Sequence, residues 1–316
     1  MAEPPDMPGP AEVPPERHEL LAKIASLYYE VGLTQSEIAK RFGISRSGVS
    51  RLLAEARETG VVNISVRWPN SVPDDLSTQL ARHYPDTEVR VVGRGGRGYS
   101  QIIEALGAVA AGVLEEKLQD HNILGISWNT GVYQVVGAFR AARKLDVTVV
   151  QLTGSTGLSN PMIDGPDLAR WLASVLGGQY LFIPAPLIVD TKATRNALLS
   201  DRTIAERLFV AQHADVALVG IGSVFPPLCT LHQLGYLSET RLAEIAKMGA
   251  VGEMLSYFYN LEGDILPLPL HERTIGLPLE KLRDVKVSIG VAAGREQGPA
   301  VVGAIRGGYV NSVVID

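Results

Sequence analysis

The pattern of apolar and polar positions changes twice along the chain. Residues 1–16 contain six prolines and almost no large apolar residue, a composition typical of a disordered tail. Over residues 17–60 the apolar positions recur with a helical period, and they predict three successive helices. The first helix should end near Gly32. Its apolar stripe consists of Leu20, Leu21, Ile24, Leu27 and Tyr28.

The second and third predicted helices begin at residues that cap helix N-termini. Thr34 and Glu37 have the spacing of a capping box, so the second helix should begin there and end at Gly43. Ser45 is a suitable N-cap for a third helix that reaches Gly60. The alternating residues 61–66 then predict a short strand, which would form a wing, and residues 68–87 a linker.

Beyond residue 88 short β-branched runs alternate with amphipathic segments, of which 100–118 and 165–177 are examples. This alternation predicts an α/β domain over residues 88–316, with a parallel-rich sheet that helices cover on both faces. Seven runs are the candidate strands: 89–92, 123–126, 147–150, 180–183, 216–219, 285–291 and 313–315.

Composition narrows the class of protein. A chain of 316 residues with 46% hydrophobic and 20% charged residues suits one small and one large globular domain. The single cysteine, Cys229, excludes an internal disulfide and suits a reducing compartment. No apolar stretch has the length of a membrane span, and the N-terminus does not resemble a signal peptide. We therefore expect a cytoplasmic protein that does not associate with a membrane.

The net charge of −5 is distributed unevenly. Residues 17–67 carry eight Lys and Arg against five acids, whereas residues 1–16 carry four acids and no base. A basic segment on an acidic protein is typical of a DNA-binding unit joined to a sensor domain.

Residues 35–53 meet the physical requirements of a helix-turn-helix. Ala39 is small enough for the helix crossing, Gly43 suits the turn, and Ile44, Val49 and Leu52 should face inward. The first residues of the third helix would then face base edges in the major groove, where Arg suits guanine. The alternative interpretation of residues 35–53 is a helical hairpin that does not bind DNA and whose charged side chains are exposed to solvent. The predicted DNA-binding residues are Gln35, Arg41, Ser45, Arg46, Ser47, Ser50, Arg51 and Arg57.

These motifs resemble the SorC family of sugar-responsive regulators. The resemblance implies a winged helix-turn-helix and a Rossmann-like effector domain related to phosphosugar isomerases and deaminases. It also implies a tetramer whose hold on operator DNA changes with a phosphorylated sugar or a polyol. The similar stretches are residues 25–29, 34–39 and 44–57, followed downstream by 125–128, 150–154, 218–222, 249–253 and 273–276.

Glycine-rich turns mark the expected effector site. Ligands of a parallel sheet bind at the carboxyl ends of its strands, where such turns expose N–H groups to anions. Turns of this kind follow three predicted strands, at residues 127–131, 154–157 and 220–223. The predicted effector-binding residues are Ser127, Trp128, Asn129, Thr130, Gly154, Ser155, Thr156, Gly157, Gly220, Gly222, Glu253, Gly294, Arg295 and Gln297.

A late turn departs from the family pattern. The resemblance implies a Gly-Gly-x-x-Lys turn whose lysine binds the phosphate of the effector, but this chain has Gln297 at that position. Either Arg295 replaces the cation, or the effector is an uncharged sugar or polyol.

Two further motifs resemble a cofactor site and a metal site, but each lacks residues that binding would need, so we expect neither a cofactor nor a metal. The Gly93-x-Gly95-x-x-Gly98 loop matches a dinucleotide fingerprint, but the next strand lacks the acidic residue that would bind the ribose. The loop therefore suits a basic turn that carries Arg94 and Arg97. Cys229 and His232 are spaced as ligands, but two ligands do not close a metal site.

Three functions are compatible with these patterns. The favoured one is a non-enzymatic repressor or activator of a carbohydrate or polyol operon, acting as a homodimer or homotetramer on double-stranded operator DNA. The second is an isomerase-type or deaminase-type enzyme with a DNA-binding head, although glutamine at residue 297 counts against turnover. The third is a scaffold whose sugar pocket is degenerate.

Overall fold

The computed structural model describes residues 15–59, 61–62, 74–157 and 164–316. The chain divides into two compact units, an N-terminal unit of residues 1–68 and a C-terminal unit of residues 69–316. Most of the predicted tail and the wing positions 63–66 lie outside the described residues. The last two tail positions are helical, because the first helix begins at Pro15, where proline is tolerated in the first turn.

The described part of the N-terminal unit forms three helices, as the apolar period predicts: α1 (Pro15–Tyr29), α2 (Gln35–Phe42) and α3 (Arg46–Glu58). Ile44 departs from the expectation that it faces inward, since it is 38% exposed. The reason is that it lies between the helices, after Gly43 and before Ser45. The core of this unit consists of Leu21, Ile24, Ala25, Ile38, Ala39, Val49, Leu52, Leu53 and Ala56.

A seven-stranded sheet forms the centre of the C-terminal unit, and each pair of neighbouring strands is parallel. Each of the seven predicted runs overlaps one of its strands. In chain order the strands are β1 (Glu88–Val91), β2 (Ile123–Ile126), β3 (Thr148–Gln151), β4 (Gln179–Leu181), β5 (Val216–Gly220), β9 (Val287–Ala292) and β10 (Ser312–Ile315).

Helices cover both faces of this sheet, as predicted. Alternate residues of β5 face opposite sides: Val216 and Leu218 join one apolar cluster, Ala217 and Val219 another. The first cluster includes residues of α5 (Tyr99–Lys117), α6 (Thr130–Ala138) and α7 (Gly165–Leu176), and the second includes residues of α9 (Arg202–Ala211) and α12 (Gly298–Arg306). The remaining helices are α4 (Asp74–His83), α8 (Lys192–Leu199), α10 (Thr230–Gln233) and α11 (Glu239–Lys247).

Two features of the C-terminal unit differ from the expectation. The segment 68–87, predicted as a linker, contains α4, which contacts β1. A second, antiparallel sheet of three strands also forms, from β6 (Gly222–Ser223), β7 (Gly252–Met254) and β8 (Tyr257–Tyr259). Strands of two or three residues are too short to show an alternating pattern.

The strand order β1-β10-β9-β5-β2-β3-β4 places a topological switch between β2 and β5. From β2 the chain continues to β3 on one side, and from β5 it continues to β9 on the other. A crevice is expected where the two connections diverge, at the carboxyl ends of the two strands. Across the part of the chain that is described, no helix is long and apolar enough to span a membrane.

Candidate DNA-binding and effector sites

Both ends of α2 and the start of α3 are capped, and these caps fix the turn between the two helices. Thr34 caps α2 reciprocally, because its backbone N–H donates to Glu37 Oε2 at 2.8 Å and its Oγ1 accepts from the Glu37 N–H at 3.3 Å. Gly43 ends α2 with a φ of +65°, a left-handed conformation that glycine adopts without strain. Ser45 then caps α3 by accepting from the Gly48 N–H at 3.0 Å.

One face of α3 is polar and exposed, and the opposite face is buried. Arg46, Ser47, Ser50 and Arg51 are all exposed, and they repeat at helical spacing along one side. The Arg51 Nε donates to the Ser47 backbone oxygen at 3.5 Å, so its side chain lies along the helix. Two guanidinium groups and two hydroxyls thus share a surface suited to the edges of base pairs.

One acidic residue of this helix, Glu55, is neutralised within the N-terminal unit. Glu55 accepts two hydrogen bonds from Arg17 of α1, at 2.9 and 2.6 Å. Hydrogen bonding to the Arg17 guanidinium lowers the pKa of the Glu55 carboxyl and joins α1 to α3. The charge of Glu55 is therefore compensated by a neighbour.

The other predicted DNA-binding residues, Gln35, Arg41 and Arg57, lie on α2 and at the end of α3. Gln35 is half-buried at the start of α2, and Arg41 is exposed in its last turn. Arg57 is also exposed, and its Nε donates to the Leu53 backbone oxygen at 3.4 Å.

The C-terminal unit has a small crevice at the carboxyl ends of β2, β5 and β9, with a volume of about 70 Å³. Four predicted effector-binding residues meet there: Asn129, Thr130, Gly222 and Gln297. The sequence did not single out the other lining residues, because their segments become neighbours only in the folded chain. We refer to this site as the central crevice, and its other lining residues are Tyr99, Ile103, Gly131, Pro227, Leu228, Thr230, Gln233 and Val291.

Asn129 is fixed at the N-terminus of α6 by two close contacts. Its Oδ1 accepts from the Val132 N–H at 2.8 Å and so caps the helix. Gly220 of β5 approaches it so closely that a Cβ at that position would overlap the Asn129 amide. The neighbouring Ser127 and Trp128 are buried and bonded to protein groups: Ser127 Oγ accepts from the Gly220 N–H at 3.1 Å, and Trp128 Nε1 donates to Thr153 Oγ1 at 3.0 Å.

Gln297 joins two strand ends. Its side chain is buried, its Oε1 accepts from the Ala293 N–H at 2.6 Å, and its Nε2 donates to the Ile221 backbone oxygen at 2.7 Å. The amide therefore links the segments that follow β5 and β9. In this chain the residue at the position of the expected lysine has a structural role.

Glu253 is buried on β7, directly across from Gly222. Burial raises the pKa of its carboxyl to about 7, while Oε1 accepts from the Ser256 N–H at 2.5 Å. A Cβ at Gly222 would lie 2.7 Å from Glu253 Oε2, so glycine leaves space for the carboxyl behind the central crevice. Burial, with a further contribution from Glu253, raises the pKa of the Cys229 thiol to about 12, which makes this thiol unreactive.

The turn at residues 154–157 lies apart from the central crevice. Ser155, Thr156 and Gly157 line a separate groove of about 560 Å³, together with Arg170 and Tyr180. A Cβ at Gly154 would lie 2.5 Å from the Pro186 backbone oxygen, so glycine permits a close backbone approach there.

The amides of this turn are occupied by protein acceptors. The N–H groups of Gly154, Ser155 and Thr156 donate to Ile275 O, Ala185 O and Asp164 Oδ1, at 2.9, 2.9 and 3.0 Å. The expected amide cradle for a phosphate is therefore not formed by these three groups.

Gly294 and Arg295 line a third groove, of about 410 Å³, which also includes Gln297. Gly294 has a φ of +100°, and its N–H donates to Asp316 Oδ1 at 2.8 Å. The other oxygen of Asp316 pairs with Arg94 at 3.1 Å. The glycine-rich loop that resembles a dinucleotide fingerprint is thus tied to the C-terminal residue, while Arg295 remains exposed.

Comparison with known proteins agrees with this two-unit architecture. The sequence profile of the sugar-binding domain family Sugar-bind matches residues 69–316, and that of sigma-70 region 4 matches residues 21–59. The deoxyribonucleoside regulator of Bacillus subtilis is 32% identical, over 95% of this chain and 96% of the relative. The transcriptional regulator LsrR of Escherichia coli K12 is 33% identical, over 94% and 92%.

A similar solved structure is the full-length sorbitol operon regulator SorC from Klebsiella pneumoniae. It has a TM-score of 0.70 and 27% identity, and the match covers 95% of this chain and 96% of that one. The fold and these relatives define a transcriptional regulator with a helix-turn-helix and a sugar-binding domain. The chain belongs to the SorC family of such regulators. The relatives' names thus confirm the regulator hypothesis over the enzyme alternative.

Proposed function

We propose that this protein is a cytoplasmic regulator of a carbohydrate or polyol operon, whose affinity for operator DNA changes when a small sugar-type effector binds. The observation that supports it most directly is the exposed face of α3, with Arg46, Ser47, Ser50 and Arg51 on a helix capped by Ser45. The match of residues 69–316 to sugar-binding domains supports the effector half of the proposal.

The mechanism requires at least two copies of the chain. Two recognition helices read half-sites that lie one helical turn of DNA apart, or a multiple of it, so assembly sets their spacing. We propose that the C-terminal unit assembles the dimer or tetramer. The effector then shifts the equilibrium between two arrangements, to the extent that it binds one more tightly than the other.

The central crevice is the proposed effector site. It lies at the switch point of the sheet, and it brings Asn129, Thr130 and Gly222 together. The grooves beside Ser155 and beside Arg295 are candidates for other parts of a larger effector.

Operator binding by gel shift tests the proposal, with DNA from the gene's own upstream region and a panel of sugars, polyols and their phosphates. We expect specific retention that one compound alters. Arg46→Ala and Arg51→Ala should each weaken retention by about 1–3 kcal/mol, the discrimination that a bidentate guanine contact provides. Lys23→Ala is the matched control, because Lys23 is an exposed cation on α1 paired with Glu19. Equal retention by the Arg46, Arg51 and control variants would contradict the DNA-binding assignment.

A further inference from the structure

Glu55 lies one helical turn beyond Arg51 on α3. Side chains four residues apart on a helix are neighbours, and an arginine and a glutamate at this spacing attract each other. Helical side chains also lean toward the N-terminus, which would direct the Glu55 carboxylate toward the turn that carries Arg51. Arg51 is an exposed cation on the proposed DNA-binding face. A free carboxylate at residue 55 would therefore compete with the operator for the Arg51 guanidinium.

In the structure the carboxylate is engaged by a different arginine. Arg17 of α1 donates from Nε to Glu55 Oε1 at 2.9 Å and from Nη2 to Oε2 at 2.6 Å. This two-point geometry uses both oxygens of the carboxylate and is a strong form of the arginine–carboxylate pair. The Arg51 side chain extends toward the start of α3, where its Nε donates to the Ser47 backbone oxygen at 3.5 Å. Among the ion pairs of the described residues, none includes Arg51.

The Arg17–Glu55 pair is better placed to control charge than to hold the N-terminal unit together. The two side chains are 43% and 33% exposed, and exposed ion pairs contribute little to the free energy of unfolding. The packing of α1 against α3 comes from the buried core, which includes Leu21 and Ile24 of α1 and Leu53 of α3. Loss of the pair should therefore change the charge on α3 more than it changes the fold.

We propose that Arg17 is a positioning residue for operator recognition: it engages the Glu55 carboxylate and so leaves Arg51 free to reach a base edge. This proposal rests on the proposed DNA-binding function and adds to it a residue that acts through another. Without Arg17, the Glu55 carboxylate would attract Arg51 along the helix and repel the phosphates of the operator. A unit charge about 6 Å from another changes an equilibrium about threefold in water, and more where water is displaced.

A cycle of variants in the operator gel shift tests the proposal. Arg17→Ala should weaken specific retention by roughly threefold to tenfold. Glu55→Gln should not weaken retention, because no carboxylate remains to attract Arg51. The double variant Arg17→Ala/Glu55→Gln should regain the retention of Glu55→Gln alone. Thermal unfolding of each variant checks that the N-terminal unit is folded at the temperature of the gel shift.

Base specificity is the second readout. Operators in which each guanine is replaced in turn identify the base pair at which Arg51→Ala loses discrimination. Arg17→Ala should lose discrimination at the same base pair, and the double variant should regain it. A residue that binds phosphate, or one that only supports the fold, would instead weaken binding evenly across these operators.

A second ion pair provides the matched control. Lys23 and Glu19 are both exposed on α1 and pair at 2.6 Å. Lys23→Ala and Glu19→Gln remove a cation and a carboxylate from the same unit without freeing Glu55. Each should change retention by less than about twofold, the size of effect expected of an exposed pair.

The other outcomes overturn the proposal in distinguishable ways. Equal losses in Arg17→Ala and the double variant would mean that Arg17 binds DNA directly. Equal losses in Arg17→Ala and Glu55→Gln, with a lowered melting temperature in both, would mean that the pair only supports the fold. Undiminished retention in Arg17→Ala would mean that Glu55 does not compete for Arg51, and full discrimination in Arg51→Ala would mean that Arg51 reads no base. If the unaltered chain retained no operator, the DNA-binding half of the proposed function would fail as well.

Discussion

The exposed face of α3 and the central crevice present two opposite kinds of polar surface. On α3 the polar groups include the cations Arg46 and Arg51, and the carboxylate of Glu55 is paired with Arg17. In the crevice the polar side chains among the described lining residues are amides and hydroxyls, and the adjacent titratable group is the buried carboxyl of Glu253, whose pKa burial raises to about 7. The proposed DNA-binding surface thus carries cations, whereas the described lining of the proposed effector site carries none.

The two surfaces are also built on separate cores. Among the described residues, the buried side chains under α3 belong to a cluster contributed by α1, α2 and α3, whereas the crevice rests on the large clusters of the C-terminal unit. A substitution in one core should therefore disable one surface and spare the other.

The largest effect should come from Ile38→Ala, since Ile38 is fully buried in the N-terminal core. Removing its side chain should lower the free energy of unfolding of this unit by about 2–5 kcal/mol. Operator retention should be lost, while effector binding by the C-terminal unit remains. Gel shift and calorimetry on the same preparation measure the two outcomes.

Ile38→Val is the graded control and should cost only about 0.5–1.5 kcal/mol. If Ile38→Ala abolished effector binding as well, the two surfaces would share one cooperative structure, and the separation of the cores would be wrong as a functional statement.

The second prediction concerns the pH dependence of the free energy of unfolding of the C-terminal unit. The folded state raises the pKa of Glu253 from 4.5 to about 7, so it binds more protons than the unfolded state between these values. The Glu253 contribution to the free energy of unfolding should therefore fall by about 3 kcal/mol as pH rises from about 4.5 to 7. His271 contributes with the opposite sign below pH 6.5, because burial lowers the pKa of its imidazole from 6.5 to about 4. Glu253→Gln keeps an oxygen for the Ser256 N–H and leaves the His271 contribution in place, so the variant should gain stability relative to the unaltered chain as pH rises.

Urea unfolding at pH 5 and pH 7.5 measures this difference. Glu239→Gln is the control, because Glu239 is exposed on α11. If Glu253→Gln showed the same pH dependence of stability as the unaltered chain, the buried carboxyl would not contribute to that dependence.

The third prediction compares a tightly packed glycine, Gly220, with a glycine that has open space around it. In Gly220→Ala the new Cβ would overlap the Asn129 amide, and overpacking of this kind costs about 1–3 kcal/mol. Since Asn129 caps α6 and lines the crevice, effector affinity should fall by roughly tenfold or more while effector-free operator retention stays unchanged.

Gly112→Ala is the matched change in an open position, because nothing lies within 4 Å of a Cβ there. In the middle of α5 it should stabilise the chain by about 0.5–1 kcal/mol. Unaltered effector affinity in Gly220→Ala would remove Asn129 from the effector site.

The three helices of the N-terminal unit could be predicted from sequence, because their signals are local. The spacing of Thr34 and Glu37, the glycine at residue 43 and the serine at residue 45 each determine a helix end within four residues. The seven strands of the large sheet were likewise visible as short β-branched runs. Local signals failed for β6, β7 and β8, which are too short to alternate.

The crevice could be predicted only in part, since its composition depends on contacts between distant segments. The glycine-rich turn at residues 154–157 was found, but it lies apart from the crevice, and the amides of Gly154 and Ser155 donate to Ile275 and Ala185, which no spacing rule connects to them. Tyr99 and Gln233 line the site from elements that carry no binding motif.

The smallest expected effect tests whether the Thr34 side chain determines where α2 begins. Thr34→Ala removes the hydroxyl that accepts from the Glu37 N–H at 3.3 Å, and the loss of such a cap should cost about 1 kcal/mol. Operator retention should weaken slightly, since α2 positions α3, and effector affinity should not change. Thr34→Ser retains the hydroxyl and should restore both stability and retention, as thermal unfolding and gel shift would show. If Thr34→Ser were as destabilised as Thr34→Ala, the γ-methyl group rather than the cap would be what stabilises the turn.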